Sequence, residues 1–379
     1  MSAAAPDAAR RVAVVSSAQT SLRPGRADVQ HIDLISEAVN RCLAGAGIAW
    51  PDIDFVIDSG SDVLDGRSIS NCGFLGALGA HHKEESRVEE DGLWAALYGH
   101  LKISSGHSDV GLIVAYSKPS ESDLDAFYWS QTEPFFQRPL GIGRATALGL
   151  QAGQYLAAGG HGEDVLAEVA AHDWAAAAGN PRLALADVPS RDDVAASAPV
   201  ATPLRELMLS RPVDGAVAVL LATEEIARRS DTAPVFIDGL GCAMDEHMLA
   251  QREGGRLDAC AAAAASAARM AGRADLRGIP LAEVSASSAA GELMVLEALG
   301  LADGPAVDLY RDGSPVAVNP SGGALPADPV MATGLIRLAE AAAQLSGRAG
   351  YGPAGAEAAV VHGSGGLGMQ NHCVFVLGR

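Results

Sequence analysis

Apolar residues along this chain alternate between two patterns: short continuous runs and longer stretches at helical spacing. Arg11 to Ser16 is a Val-rich run that predicts a buried strand, and Ile32 to Ala46 follows with apolar residues three and four apart and a stop at Gly47. Ile53 to Ile57 predicts a second strand, Gly92 to Ile103 a helix, and Val110 to Ala115 a strand with almost no polar interruption. Between Ser117 and about Pro199 the pattern turns helical, at Ala145 to Ala158 and Val165 to Ala178, with Gly- and Pro-containing turns. Asp214 to Leu221 then predicts a strand and Glu224 to Arg229 a helix. The second half offers strands at Val235 to Leu240, Ile279 to Val284, Ala358 to His362 and Cys373 to Leu377, with helices at Ala259 to Ala271, Glu292 to Leu299 and Leu335 to Leu345. Strands alternating with helices are the grammar of an α/β fold. The two halves repeat one order of elements, which predicts an internal duplication.

Composition narrows the class. With 379 residues, two or three domains are expected. The 46 acidic against 27 basic residues leave a net charge of −19, which argues against nucleic acid or an anionic membrane as partner. Five scattered cysteines without a CxxC pair predict neither disulfides nor a structural zinc site, and a reducing compartment fits. No run reaches the ~20 apolar residues of a membrane span, so a cytoplasmic protein without membrane insertion is expected.

Several motifs recur at separations of tens of residues: Asn180-Pro181, Pro203-Leu204-Arg205, Val213-Asp214-Gly215-Ala216, Gly291-Glu292-Leu293 to Leu299-Gly300-Leu301, Asn319-Pro320-Ser321-Gly322-Gly323, Ala332-Thr333-Gly334 and His362-Gly363-Ser364-Gly365-Gly366. In this order they resemble the thiolase superfamily, close to the lipid-transfer-protein-like or sterol-carrier-protein-type thiolases, over nearly the whole length. The resemblance implies a thiolase-like fold of duplicated βαβαβ halves in five layers with a helical loop-domain insertion. The expected division is 1–116 with 200–230 for the N-terminal half, 117–199 for the insertion and 231–379 for the C-terminal half. It also implies a dimer, with self or a paralogous thiolase-like chain, an acyl-CoA ligand, and a small OB-fold, zinc-containing partner. Carbon–carbon bond formation or cleavage beside a CoA thioester is the implied chemistry, with a cysteine nucleophile and histidine bases. A CoA thioester is then substrate or ligand, and no tightly bound cofactor is expected.

The sequence departs from that pattern at the positions that matter most. Where the resemblance expects Cys-x-x-Gly-x-x-Ala, the chain has Glu89-Glu90-Asp91-Gly92-Leu93-Trp94-Ala95, so Glu89 stands in the nucleophile's place. A carboxylate cannot form the thioester of the usual acyl-enzyme. Ser285 replaces one expected polar donor, and Asp328 stands where Gly-His-Pro would carry an imidazole. His362 is the remaining base, or else a loop histidine held by packing, and His372 reads as structural. Glu89, Glu90 and Asp91 offer acid/base groups at a helix N-terminus, or an acidic N-cap and dimer contact.

Gly322, Gly323, Gly365 and Gly366 suit close backbone approach to a pantetheine arm, or simply turns. Arg138, Arg144 and Lys118 are the cations placed to meet CoA phosphates. Phe127, Tyr128, Trp129, Phe135 and Phe136 form an apolar acyl entrance or pin a lid. Related aldolases without the nucleophile use other groups, tyrosines among them, and Tyr98, Tyr116, Tyr128 and Tyr310 are the candidates here. Asp245, Glu246 and His247 read as a surface loop, and no metal is expected. The leading expectation is a catalytically reduced thiolase-like subunit in lipid, steroid or aromatic-acid degradation. The alternatives are a carbon–carbon bond-cleaving aldolase or noncanonical acyltransferase, and a noncatalytic acyl-CoA-binding or assembly protein.

Overall fold

A computed structural model describes residues 10–183, 185–230 and 233–379. The strands are β1 Val12–Gln19, β2 Phe55–Ser59, β3 Glu84–Val88, β4 Val110–Ser117, β5 Pro199–Ala201, β6 Leu204–Arg205, β7 Gly215–Thr223, β8 Val235–Met244, β9 Leu281–Val284, β10 Ala317–Val318, β11 Ala358–Gly365 and β12 Asn371–Gly378. The helices are α1 His31–Ala46, α2 Asp62–Asp65, α3 Leu75–Leu78, α4 Gly92–Ser104, α5 Leu124–Ser130, α6 Arg144–Gly159, α7 Asp164–Ala177, α8 Arg191–Ala196, α9 Glu224–Ala227, α10 Asp258–Met270, α11 Ala289–Leu299 and α12 Thr333–Leu345.

Ten strands form one sheet in the order β10-β9-β11-β12-β8-β1-β7-β4-β2-β3. Its outer five on either side follow the same rule, since β1, β2, β3, β4 and β7 occupy the places that β8, β9, β10, β11 and β12 occupy in the other half. The seam is narrow: β1 and β8 pair antiparallel only at Ala13 with Phe236 and Val14 with Val235. The expectation of two halves in five layers thus gains one detail, a hydrogen-bonded junction between them.

Three apolar cores explain the layering. Leu34, Ile35, Ala38 and Val39 of α1 pack on Val15, Val56, Leu112 and Leu220. Leu93 and Ala96 of α4 and Leu335 and Leu338 of α12 pack against both halves of the sheet, on Ile113 and Val219 as well as Val361 and Phe375. Ala263 and Ala267 of α10 and Leu293 and Leu296 of α11 cover Val374 and Val376. Glycine is required where α10 meets the sheet: a Cβ at Gly239 would stand 2.1 Å from the Ala267 carbonyl oxygen, and one at Gly241 2.3 Å from that of Ala263. Helices α5 to α8 lie between β4 and β7.

Helix α12 is buried along its whole length, polar residues included. Arg337 pairs with Glu283 at 3.0 Å and with the Ser321 hydroxyl at 2.6 Å, and Glu283 also accepts from Gln344 at 2.7 Å. Glu340 accepts from Gln19, Asn180, Arg182 and Tyr351. A further buried acidic pair, Asp173 of α7 and Glu292 of α11, lies where the inserted helices meet the C-terminal half. Tyr310 donates to Glu292 at 2.5 Å. Burial pushes the Asp173 carboxyl up to about 8 and holds Glu292 well above the usual carboxylate range. Among the described residues no helix is long and apolar enough to cross a membrane.

Candidate active site

The turn before α4 carries the acidic triplet into the centre of the molecule, and the three side chains diverge. Asp91 caps α4: one oxygen accepts from the Leu93 amide at 2.9 Å. Its other oxygen accepts from the Gly334 amide, at the start of α12, at 2.8 Å. The carboxylate therefore sits at the N-termini of both central helices, where backbone dipoles favour negative charge. Burial outweighs this and pushes its carboxyl up to about 8. Glycine is needed opposite it, because a Cβ on Gly334 would come within 2.1 Å of an Asp91 oxygen.

Glu90 accepts from the Asn371 side-chain amide at 2.5 Å and from the Asp91 amide at 3.2 Å. Burial holds its carboxyl above the usual range, an effect these two bonds only partly offset. Gly365 closes over it so tightly that an added Cβ would lie 2.0 Å from Oε1. Glu89 turns outward: it accepts from the Asp62 amide at 3.0 Å and from Arg87 Nε at 2.9 Å, with about half of its side chain exposed. Arg87 in turn bridges Asp58 at 2.6 Å and Asp65 at 3.1 Å.

A cavity of about 410 Å³ opens here, lined by Glu89, Glu90, Asp91, Tyr128, Ser285, Asp328, Ser364, Gly365, Gly366 and Asn371 among others. Seven separate stretches of sequence converge on it. Asp328 is held by the Ser210 hydroxyl and by Thr333 at 2.7 Å, with Arg144 at 3.9 Å. Ser285 reaches the wall on a loop whose amide donates to the His362 carbonyl at 3.1 Å and whose carbonyl accepts from the Ser364 hydroxyl at 3.1 Å. Tyr128 is buried beneath Arg144, whose guanidinium carbon stands 5.7 Å from the ring centre, and burial keeps the phenol protonated.

Other candidates lie elsewhere. His362 is wholly buried and absent from the lining. Its Nε2 stands 3.0 Å from His372 Nδ1, and burial lowers both imidazoles, His372 to about 3. The strand β11 continues through His362, and the base it was expected to supply to the pocket is turned into the sheet's packing instead. Gly322 and Gly323 form a left-handed turn against Ala177 and Asp173 of the insertion and do not reach the cavity. Arg138 donates to the Ser130 and Thr132 carbonyls, and Arg144 to Ser210, so both brace the loop instead of standing free for phosphates. Lys118 is buried against Glu121.

Tyr116 is packed beside Arg87 and Tyr310 beside Glu292, while Tyr98 is half-exposed on α4. Of the aromatic run, Phe127 and Tyr128 line the cavity, whereas Phe135 and Phe136 face solvent. His247, read from sequence as a surface residue, is exposed but also lines the cavity. Asn371, the partner of Glu90, was missed, because a polar residue opening a strand carries no signal of its own.

Residues 241–379, which carry β9, α12 and the Gly365 loop, match the family described as Thiolase C-terminal domain-like. An acetyl-CoA acetyltransferase of Methanothermobacter thermautotrophicus is 28% identical over 375 residues, spanning 95% of this chain and 97% of that protein. The C-terminal part of the chain thus matches a thiolase family model, and its full length is similar to an acetyl-CoA acetyltransferase. Its fold is found in a solved structure described as the Ltp2-ChsH2(DUF35) aldolase, at a TM-score of 0.82 and 20% identity over 98% of both chains. Human mitochondrial 3-ketoacyl-CoA thiolase superimposes at a TM-score of 0.74 and 17% identity, over 98% of this chain and 99% of that one.

Proposed function

We propose that this thiolase-like chain cleaves or forms a carbon–carbon bond beside a CoA thioester by acid/base catalysis at Glu90, without an acyl-enzyme. The observation that carries this reading is the Glu90 carboxyl. It is buried, raised in proton affinity, oriented by Asn371 and set on the wall of the cavity. Such a group is populated in both protonation states nearer neutrality than an ordinary glutamate, as an acid/base catalyst requires.

In the cleavage direction the substrate is a β-hydroxyacyl thioester. Ionised Glu90 takes the hydroxyl proton, the Cα–Cβ bond breaks with its electron pair entering the thioester as an enolate, and a carbonyl product leaves. A proton delivered to Cα then completes the acyl thioester. The Tyr128 hydroxyl, protonated and on the same wall, donates to the enolate oxygen. The partner is a second thiolase-like chain or a small OB-fold, zinc-containing protein, a reading supported by the two-component name of the aldolase that shares the fold. Lipid, steroid or aromatic-acid degradation supplies the acyl group, and the reaction is cytoplasmic.

A second reading, a catalytically reduced subunit that supports a partner's chemistry, is favoured by Asp328, which is tied to Ser210 and Thr333 where the family carries an imidazole. The deciding experiment follows product masses after β-hydroxyacyl-CoA and β-ketoacyl-CoA are given to the chain alone and with its genomic neighbour. Turnover that falls at least ~100-fold in Glu90→Gln supports acid/base catalysis. Turnover that needs the complex but is untouched by Glu90→Gln assigns the chemistry to the partner.

A further inference from the structure

We propose that Cys260, His362 and His372 form a buried binding site for one transition-metal ion of the zinc class, separate from the cavity. The three residues come from α10, β11 and β12, and one ligand atom from each lies within 4.8 Å of the others. All three are wholly buried, and none lines the cavity.

The two imidazoles satisfy each other only once. The 3.0 Å contact uses Nε2 of His362 and Nδ1 of His372. The outer nitrogens, His362 Nδ1 and His372 Nε2, make no well-formed hydrogen bond, although the Ser285 and Met369 backbone lies against the two rings. The facing nitrogens, which share that one hydrogen bond, are the pair an ion beside the Cys260 thiol would take, each ring keeping its outer nitrogen toward the Ser285 or Met369 backbone, as metal-bound imidazoles do.

The spacing suits a tetrahedral ion. Two imidazole nitrogens, each about 2.0–2.1 Å from zinc, stand about 3.3–3.4 Å apart, and a thiolate at about 2.3 Å stands about 3.5 Å from either. The observed nitrogen pair is a few tenths of an ångström tighter, and the thiol must close inward. One thiolate with two imidazoles selects Zn(II) or its Co(II) surrogate over hard cations, which take oxygen ligands.

Binding would clamp α10 to the β11–β12 hairpin. The same hairpin carries Ser364, Gly365 and Asn371, two to three residues from the histidines or adjacent to them, into the cavity wall. The ion thus holds the wall from behind and touches no substrate.

The test uses the full chain, stripped with a chelator and titrated with Co(II) while the near-ultraviolet thiolate-to-cobalt band is followed. The expected result is one ion per chain, a band displaced by Zn(II), and a melting temperature raised by the metal. In Cys260→Ala, which adds one alanine to an alanine-rich helix, the band disappears while the circular dichroism is kept; His372→Gln weakens binding on the order of tenfold or more. Should Cys260→Ala not fold, Cys260→Ser serves the same purpose. Absence of the band in the parent chain, or a band that survives loss of the Cys260 thiol, overturns the proposal.

Discussion

The Asp91 carboxylate and the Gly334 amide are joined by a 2.8 Å hydrogen bond that ties the start of α4 to the start of α12. One side chain thereby serves two helix N-termini in the central layer, each of which would otherwise leave a buried amide unpaired. Asp91→Ala should cost about 1–3 kcal/mol, from the lost cap on Leu93 and the lost bond to Gly334. Urea denaturation followed by circular dichroism measures it, and an unchanged midpoint would show that the two helices are held by packing alone.

The Asp173 and Glu292 pair makes stability depend on pH in a stated direction. Asp173 is pushed up to about 8 in the fold, from an ordinary value of 3.8, so the folded chain holds a proton there that the unfolded chain has lost. Stability from this group is complete below about pH 4 and declines as pH rises to about 8, by up to ~1.4 kcal/mol per unit. Asp173→Asn removes that slope. Its advantage over the parent should grow between pH 4 and pH 8 in thermal melts and then level off; a constant difference across the range would argue against a buried proton.

At Gly365 a methyl group would overlap Glu90 Oε1. Gly365→Ala should displace the carboxyl and lower kcat roughly 10–100-fold if Glu90 is the acid/base group. The pH optimum should shift as well, because a displaced Glu90 loses its burial. Melting temperature reports separately on folding, and a variant with native activity and an unshifted pH profile would remove Glu90 from the mechanism.

Arg87 stands among Asp58, Asp65, Tyr116 and Glu89. Burial pushes Asp58 up to about 7 even with this partner present. Removing the guanidinium in Arg87→Ala strands two buried carboxyls and should cost about 3–5 kcal/mol. Arg87→Lys restores the charge but not the fork that reaches four groups, and should recover only part of the loss in a chemical-denaturation series.

Most of the fold was legible because its signals are local. Val110 to Ala115 and Asp214 to Leu221 are continuous apolar runs, and β4 and β7 are found there as neighbouring buried strands. Strand β3 was missed: Glu84 to Val88 is an edge strand of charged residues, paired on one side only, and it has no hydrophobic period to read. Helix α12 misleads in the opposite sense. Arg337, Glu340 and Gln344 recur at helical spacing like a solvated face, yet all three are buried in ion pairs and amide bonds whose partners lie far away in sequence. At the site, the acidic triplet could be located by its place before Gly92, but how the Glu90 carboxyl is held on the cavity wall depends on Asn371 and Gly365 arriving from the other end of the chain. His362 looked available because it precedes a glycine-rich run. Register, which no local pattern carries, turned it toward His372.

The seam at Val14 and Val235 has a mechanical meaning. Because β1 and β8 are hydrogen-bonded, backbone pairing runs unbroken from β10 to β3, and neither half can pivot as a rigid lobe without first breaking that strip. Half-against-half hinging to admit a bulky thioester would first have to break that pairing. The part of the cavity wall that lies outside the paired strands is the segment carrying Phe127, Tyr128 and Gln131, on α5 and the turn that follows it.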